Sequence, residues 1–239
     1  MSTTAHAVES QTAVPKPRRA TRARRALAVV LIVIGVLLLA DGATTLLWQE
    51  PFTALYAHWP QGQLAQQLTQ LERAPASRAE RQALARVPDQ RRRLALAAGA
   101  FGRRVHSGEP IGRLRIGRIG LSAVVVQGTG TGDLQEGPGH YPATRLPGEH
   151  GTVAIAGHRT TFGAWFRHID QLRPADPIVL NLPYGRFTYR VQRTRIVSPS
   201  AFWITKNVGY DRLVLSACHP LFSATKRIVV FARLVSERA

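Results

Sequence analysis

The hydrophobic and polar positions divide the 239-residue chain into two unlike halves. From Gly108 onward, short apolar runs rich in Val, Ile and Leu alternate with turns that contain Gly or Pro. Many short strands separated by turn residues are typical of a small closed β-barrel or sandwich. The runs predicted to be strands are 114–120, 123–128, 152–157, 177–182, 186–198, 212–217 and 226–234. The pattern therefore predicts a mainly β domain over residues 108–239.

The N-terminal half contains a long apolar segment. Residues 26–40 have only apolar side chains or glycine, and after Asp41 the apolar character continues to Trp48. This length crosses a bilayer as a helix, with Asp41 and Trp48 near an interface. Basic residues precede the segment and none follows it directly, which predicts residues 1–25 as a cytoplasmic tail, 26–48 as a transmembrane anchor and the rest as extracellular. A cleaved signal peptide is the alternative, but no convincing small-residue cleavage site is present.

Residues 49–107 lack the alternation of strands. Leu64, Leu68 and Leu71 recur at helical spacing, and the stretch 77–100 is rich in Ala, Leu and Arg. We expect a partly helical stalk between the anchor and the β domain. Its basic face is expected to be solvated, with attraction to anionic envelope polymers as the alternative.

The charge restricts the partners. The chain carries 32 Lys and Arg against 14 acidic residues, a net charge of +18. Such an excess suits nucleic acid, an anionic membrane surface or an acidic cell envelope. The basic residues are spread along the chain, without the interleaved aromatic residues of single-strand-binding surfaces. The composition therefore argues against nucleic acid as a partner and retains membrane lipid.

Cys218 is the single cysteine of the chain, which excludes an internal disulfide and a Cys-rich zinc cage. It directly follows the apolar run 212–217, and strand ends held by a rigid sheet are where catalytic side chains concentrate. A free cysteine is ordinarily a small buried hydrophobe. An unpaired thiol in an exported domain points instead to nucleophilic chemistry.

Two other reactive side chains occupy comparable positions. His158 follows the apolar run 152–157, and Arg227 belongs to the run 226–234, nine residues after the cysteine. A hairpin between the last two strands would place Arg227 beside Cys218. A histidine can take the thiol proton and return it to a leaving amine, and an arginine fork suits the negative oxygen of a tetrahedral intermediate. The trio predicts acyl transfer with Cys218 as nucleophile, His158 as acid/base and Arg227 as oxyanion partner.

Neighbouring histidines raise two alternatives. His219 is a rival base, but adjacent residues on an extended strand point to opposite faces, which favours His158. A zinc site formed by Cys218, His219 and either His158 or His140 fits no common zinc spacing. The acidic residues are too scattered for a calcium site. We therefore expect neither a metal nor an organic cofactor.

The sequence around these residues resembles the sortase family. Residues 137–172, GPGHYPATRLPGEHGTVAIAGHRTTFGAWFRHIDQL, are similar to the catalytic-histidine region of the family, and residues 213–234, LVLSACHPLFSATKRIVVFARL, are similar to its Cys-to-Arg hairpin. The resemblance covers roughly residues 108–236 and includes the N-terminal anchor. Among the branches of the family it favours class E, the housekeeping type of high-GC Gram-positive bacteria.

The resemblance implies an eight-stranded sortase β-barrel and a membrane-anchored cysteine transpeptidase. Such an enzyme cuts an LPxTG-like sorting signal of secreted proteins after its threonine and holds the product as a thioacyl on its cysteine. An amine of a peptidoglycan precursor then resolves the thioacyl, with slow hydrolysis as a side reaction. Class E relatives favour Ala at the second signal position, which implies an LAxTG-like signal. His140, Tyr141, Ala217 and His219 are expected to bind substrate, with packing as the alternative role of His140 and Tyr141.

The residues before the cysteine depart from the family pattern. The family usually has Thr-Leu-x-Thr-Cys, whereas this chain has Val214-Leu215-Ser216-Ala217-Cys218, without either threonine hydroxyl. The nucleophile, the histidine and the arginine all remain. The rival functions are a cysteine hydrolase or peptidase of the envelope and a non-catalytic, membrane-tethered protein that binds envelope polymer.

Overall fold

The alternating apolar runs form eight strands that close into one barrel. A computed structural model describes residues 18–47, 51–74 and 77–239 of the chain. Neighbouring strands follow the order β1-β2-β3-β4-β7-β8-β6-β5, and β5 pairs with β1. The strands are β1 (Pro110–Ile116), β2 (Leu121–Gln127), β3 (Gly139–His140), β4 (Thr152–Ala156), β5 (Pro177–Leu182), β6 (Gly185–Val197), β7 (Arg212–His219) and β8 (Lys226–Arg238). The predicted eight-stranded barrel is confirmed.

All seven predicted strands are present, with one difference in the first. Residues 117–119 form a short 3-10 helix instead of continuing β1, and Gly120 follows it with a φ of 64°, a backbone conformation that glycine adopts without cost. The eighth strand, β3, has only two residues. A strand of two residues shows no alternation, so the pattern could not reveal it.

The relative directions of β4, β7 and β8 determine which of their ends lie together. β4 and β7 are parallel, with Thr152 opposite Arg212 and Ala156 opposite Ser216. β7 and β8 are antiparallel and form the predicted hairpin. The C-terminal ends of β4 and β7 and the N-terminal end of β8 therefore lie at the same end of the barrel.

Side chains on β7 alternate between the barrel interior and the outer face. Leu213, Leu215 and Ala217 belong to the main hydrophobic core, with buried residues from β1, β2, β4, β5, β6 and β8. Val214 belongs instead to a second apolar cluster on the outer face, which also contains Ala154, Ile204, Val229 and Phe231. This period of two is the geometry of an extended strand. The outer face of β4, β7 and β8 thus has its own cluster of buried apolar side chains.

The N-terminal apolar segment is helical. Helix α1 spans Arg18–Leu47, and its stretch Ala23–Ala43 is long and apolar enough to cross a membrane, a property that signal sequences share. The chain separates into two compact units at residues 1–43 and 44–239. Of the predicted tail and anchor, residues 1–17 and Trp48 lie outside the described residues.

The predicted stalk is also largely helical. It contains α2 (Pro51–Arg73), α3 (Arg78–Ala85) and α4 (Gln90–Gly102), and a short α5 (Thr131–Glu136) follows β2. Ser77 and Asp89 cap α3 and α4 by accepting hydrogen bonds from backbone N–H groups of the first turn, which such residues do at helix starts.

Helices α2 and α4 pack against the barrel. Leu64 and Leu68 of α2 are buried against Val124 and Val126 of β2. From α4, the side chains of Leu94, Ala98 and Phe101 enter the main core. Complete burial of a leucine or phenylalanine side chain stabilises a fold by roughly 1.5–3 kcal/mol. These helices therefore belong to the same compact unit as the barrel.

Candidate active site

Cys218 and Arg227 face each other across the β7–β8 hairpin. They are direct partners in the antiparallel register. Side chains in such a pair lie on the same face, with Cβ atoms roughly 4.5–5.5 Å apart. Counting in steps of two from Val214 and Val229 places both on the outer face, above the second apolar cluster. The hairpin thus brings together the two residues that the sequence paired only by spacing.

His158 reaches the same place from β4. The last β4–β7 pair is Ala156 with Ser216, and the Gly157 N–H donates to the Ser216 carbonyl at 3.1 Å. His158 and Cys218 each follow this pair by two residues, at the same end of two parallel strands. His158 and Cys218 therefore occupy corresponding positions at the ends of two neighbouring strands, and Arg227 lies opposite Cys218 on the third.

The guanidinium of Arg227 is held at the start of β8. Its Nη1 donates to the carbonyls of Ala224 and Lys226 at 2.9 and 3.1 Å. These contacts use one nitrogen of a fork that has three, so Nε and Nη2 remain as donors for an oxygen of a ligand. The side chain is half-buried, as is the Cys218 thiol, which is free.

The imidazole of His158 lies against an aromatic ring. Its centroid is 5.5 Å from that of Phe162, and the planes are inclined by 44°. Burial lowers the pKa of His158 below its ordinary value of 6.5. The free imidazole is therefore neutral at neutral pH, which is the form that accepts a proton.

Residues 157–166 form a tightly closed loop beneath this histidine. The Phe166 N–H donates to the His158 carbonyl at 2.9 Å, and the Phe166 ring is fully buried. A Cβ on Gly157 would lie 2.8 Å from that ring, closer than side-chain carbons approach each other. Glycine is thus required where the chain leaves β4, because the ring that supports His158 occupies the space of a side chain.

His140 occupies a packing position. It is 1% exposed, its Nδ1 lies 2.8 Å from the side-chain amide of Gln127, and its Nε2 lies 3.0 Å from the Arg145 carbonyl and 3.2 Å from Thr144 Oγ1. Burial lowers the pKa of His140 to about 4, against the opposing effect of the Arg145 hydrogen bond. Both ring nitrogens are engaged inside the protein, which favours the packing role over the predicted contact with substrate.

Ala217 and His219, the residues on either side of Cys218, lie on the other face of β7. The Ala217 side chain is buried in the barrel core. The Nδ1 of His219 lies 3.3 Å from Nη1 of Arg159, on the side of β7 away from Cys218. These positions result from strand alternation on either side of the cysteine.

Tyr141 remains beside the site. Its hydroxyl lies 3.0 Å from Oγ of Ser216, which precedes Cys218 by two residues on the same face. Val214, which stands where the family has threonine, is packed among apolar side chains. Ser216 supplies the hydroxyl on this face, one residue away from the threonine position of the family pattern. The local loss of both threonines therefore leaves no buried polar group without a partner at these positions.

In the part of the chain that the structure describes, no three His, Cys, Asp or Glu side chains are grouped to hold a metal ion. The site is instead composed of a thiol, an imidazole and a guanidinium around a strand hairpin.

Comparison with known proteins identifies the family of this arrangement. The family model of the sortase domain matches residues 114–235, a range that contains His158, Cys218 and Arg227. The chain belongs to the sortase family.

Three relatives illustrate the similarity of this sortase. Sortase D of Bacillus subtilis is 34% identical over 134 residues, covering 54% of this chain and 66% of the relative. Sortase SrtE1 of Streptomyces coelicolor is 28% identical over 93% of this chain and 60% of its own length. A structure of sortase E from Streptomyces avermitilis has a TM-score of 0.52 at 31% identity, covering 56% of this chain and 92% of that chain. The chain thus spans about 60–66% of the length of these two curated relatives.

A structure of sortase E1 from Streptomyces coelicolor has a tripeptide in its active site. It is 28% identical to this sortase with a TM-score of 0.52, over 55% of this chain and 91% of that chain. The similarity to sortase E proteins agrees with the class E resemblance of the sequence.

Sequence reasoning missed two residues that shape this site. Phe166 supports the loop of His158, and Arg159 is buried between this loop and the end of β7. Gly157 could have indicated the contact with Phe166, because a glycine at the end of a strand often marks a place where another group approaches the backbone closely. An arginine next to a histidine carries no such signal, since arginines are mostly exposed.

We predict that Gly157→Ala disrupts the site more than the fold. The added methyl group would displace the Phe166 ring and, through the Phe166 N–H, the His158 backbone, so turnover of a substrate peptide should fall at least tenfold. Gly132→Ala in α5 is the matched control, because a Cβ there meets no atom within 4 Å. Unchanged turnover of Gly157→Ala, measured beside the control, would contradict the role of this close contact.

Proposed function

We propose that this sortase is a membrane-anchored cysteine transpeptidase that joins secreted proteins to an amine of the cell wall precursor. The observation that supports the proposal is the register of β4, β7 and β8, which pairs Cys218 with Arg227 and ends β4 beside Ser216, two residues before His158. A nucleophile, a neutral base and a fixed cation within one site are the requirements of acyl transfer to and from a thiol.

The acylation step uses all three residues. His158 accepts the Cys218 proton, and the thiolate attacks the carbonyl carbon of the threonine in the sorting signal. The Arg227 fork donates hydrogen bonds to the oxygen that becomes negative. When the tetrahedral intermediate collapses, the carbon–nitrogen bond breaks and the imidazolium of His158 protonates the departing amine. The products are a thioacyl on Cys218 and the released C-terminal peptide.

The second step reverses these roles. The incoming amine attacks the thioacyl carbonyl, His158 accepts the proton from the amine nitrogen, and Arg227 again binds the negative oxygen. Collapse expels the Cys218 thiolate, which regains the proton from His158. The new amide joins the substrate to the acceptor, and water in place of the amine gives slow hydrolysis.

We further propose that the outer face next to the thiol binds an LPxTG-like signal, with LAxTG as the class E variant. Tyr141 and Ser216 form a hydroxyl pair beside Cys218, and Ala156 and Val214 supply small or apolar neighbours on the same face. The tripeptide in the active site of the Streptomyces coelicolor relative supports a peptide in the corresponding place. The side chain of Ala217 is not available to such a peptide, because it is buried in the barrel core.

Anchorage completes the proposal. Helix α1 is apolar enough over Ala23–Ala43 to span a membrane, and basic residues precede this stretch. By the excess of positive charge, the N-terminus is cytoplasmic and the barrel is extracellular, where the sorting signals and the wall precursor are located.

The transpeptidase and hydrolase alternatives differ in their response to an amine. A sorting-signal peptide is incubated with the full chain in detergent, with and without an added amine nucleophile such as triglycine. We expect the amine to speed release of the C-terminal fragment and to appear in the product. Hydrolysis that is unaffected by the amine would contradict transpeptidation. Cleavage should be absent from Cys218→Ala, whereas a polymer-binding protein without catalysis would retain its function in this variant.

The role of Arg227 gives a separate prediction. Arg227→Lys keeps the charge but replaces a planar fork with a point donor, so kcat/KM should fall about a hundredfold, equivalent to roughly 3 kcal/mol of transition-state stabilisation. Arg233→Lys is the matched control, because Arg233 lies on the same strand, is exposed and contacts the Tyr210 ring far from the thiol. Similar kcat/KM values for both variants would exclude Arg227 from an oxyanion role.

A further inference from the structure

Arg159, the residue after the proposed base, is buried in the middle of three segments. It is 4% exposed. Its Nε and Nη2 donate to the Arg167 carbonyl at 3.2 and 3.0 Å, and Nη2 also donates to Asp170 Oδ1 at 2.8 Å. Its Nη1 lies 3.3 Å from Nδ1 of His219. Every nitrogen of the guanidinium is therefore used.

These contacts connect the two strand ends that carry the proposed acid/base and nucleophile. Arg159 is adjacent to His158 at the end of β4, and His219 is adjacent to Cys218 at the end of β7. The third anchor is the turn at Arg167 together with the 3-10 helix Ile169–Gln171, which contains Asp170. The guanidinium thus connects the two proposed reacting residues through their immediate neighbours.

The contact with Arg159 also determines which role the Nδ1 atom of His219 has in the hydrogen bond. A guanidinium can only donate hydrogen bonds, so the Nδ1 of His219 must carry a lone pair. In this contact Nη1 of Arg159 is the donor and Nδ1 of His219 is the acceptor. This arrangement removes the Nδ1 of His219 from any role as a base.

A purely structural purpose does not explain such an arginine well. Its single carboxylate partner, Asp170, has a side chain that is 50% exposed, so the buried cation is only partly compensated. Buried ion pairs are often replaced by apolar side chains without loss of stability. A fork that meets three acceptors in fixed directions is instead suited to holding backbone segments at a set distance.

We propose that Arg159 is a positioning residue that sets the distance between His158 and Cys218 by holding His219, the Arg167 carbonyl and Asp170 together. The inference rests on the proposed function, in which the imidazole must reach the thiol. Reactive groups that are misplaced by about 1 Å can lose as much as a hundredfold in rate. Arg159 acts on catalysis through its neighbours and contacts neither the substrate nor the thiol.

The first test compares two buried arginines on the full chain in detergent. Arg159→Lys retains the charge but cannot reach three acceptors. Arg212→Lys is the matched control, because Arg212 is 3% exposed, donates to the carbonyls of Ile204 and Lys206 at 2.8 and 2.7 Å, and lies at the other end of β7. We expect both variants to unfold at lower temperature. Only Arg159→Lys should lower kcat, by about tenfold with KM nearly unchanged.

The second test distinguishes loss of the Arg159–His219 hydrogen bond from a general loss of rigidity in the fold. His219→Leu removes the acceptor, whereas His219→Asn keeps an oxygen near the position of Nδ1. We expect the Leu variant to lose more kcat than the Asn variant. Arg159→Lys combined with His219→Leu should lose little more than either change alone, because both break one connection. Fully additive losses, or equal losses in the Leu and Asn variants, would overturn the proposal.

The third test does not require transpeptidation. The rate of Cys218 alkylation by iodoacetamide reports how well the thiol is activated by its neighbour. Alkylation should be slower in Arg159→Lys than in Arg212→Lys and should approach the rate of His158→Ala. If the unmodified chain fails to use a sorting-signal peptide but these alkylation rates follow the expected order, only the proposed function fails. If the peptide is used and Arg159→Lys matches Arg212→Lys in both kcat and alkylation, only the positioning role fails.

Discussion

The register of β7 against β4 and β8 is the constraint on which the rest of the site depends. Parallel pairing with β4 brings two strand ends together, and antiparallel pairing with β8 places Arg227 opposite Cys218. Because side chains alternate along a strand, a slip of one residue would move Cys218 to the barrel interior and Ala217 to the outer face. Burial of Leu213, Leu215 and Ala217 in the core opposes that slip. The energy of hydrophobic burial thus fixes the position of the Cys218 thiol.

The outer face has a corresponding requirement. A peptide substrate needs a firm surface, and the second apolar cluster, in which Ala154, Val214 and Val229 are fully buried, stiffens the strands that carry the site. Phe166 and Arg159 hold the loop after β4 from below, one by filling the space beside Gly157 and the other by hydrogen bonds. The residues that hold the proposed catalytic side chains in place are therefore themselves buried, as a preorganised site requires.

Much of this arrangement was predictable from the sequence, because strand patterning depends on local alternation. Seven strands, the hairpin between the last two and the candidate trio all followed from apolar runs and the residues at their ends. Contacts between distant segments were not predictable in this way. Leu64 and Leu68 indicated a helix, but their spacing could not show that the helix would pack on β2. Likewise, nothing local distinguishes His140, whose ring is enclosed by Gln127, Thr144 and Arg145, from a histidine at a binding surface.

In the proposed reaction, the Cys218 thiol held by this register carries the acyl group. Its most direct test is to mix the full chain in detergent with a sorting-signal peptide, quench the reaction in acid and determine the mass of the proteolytic fragment that contains Cys218. We expect a fragment heavier by the part of the peptide that ends at its threonine, with the adduct lost when hydroxylamine cleaves the thioester. Peptide cleavage that proceeds without this adduct, and that persists in Cys218→Ala, would contradict it.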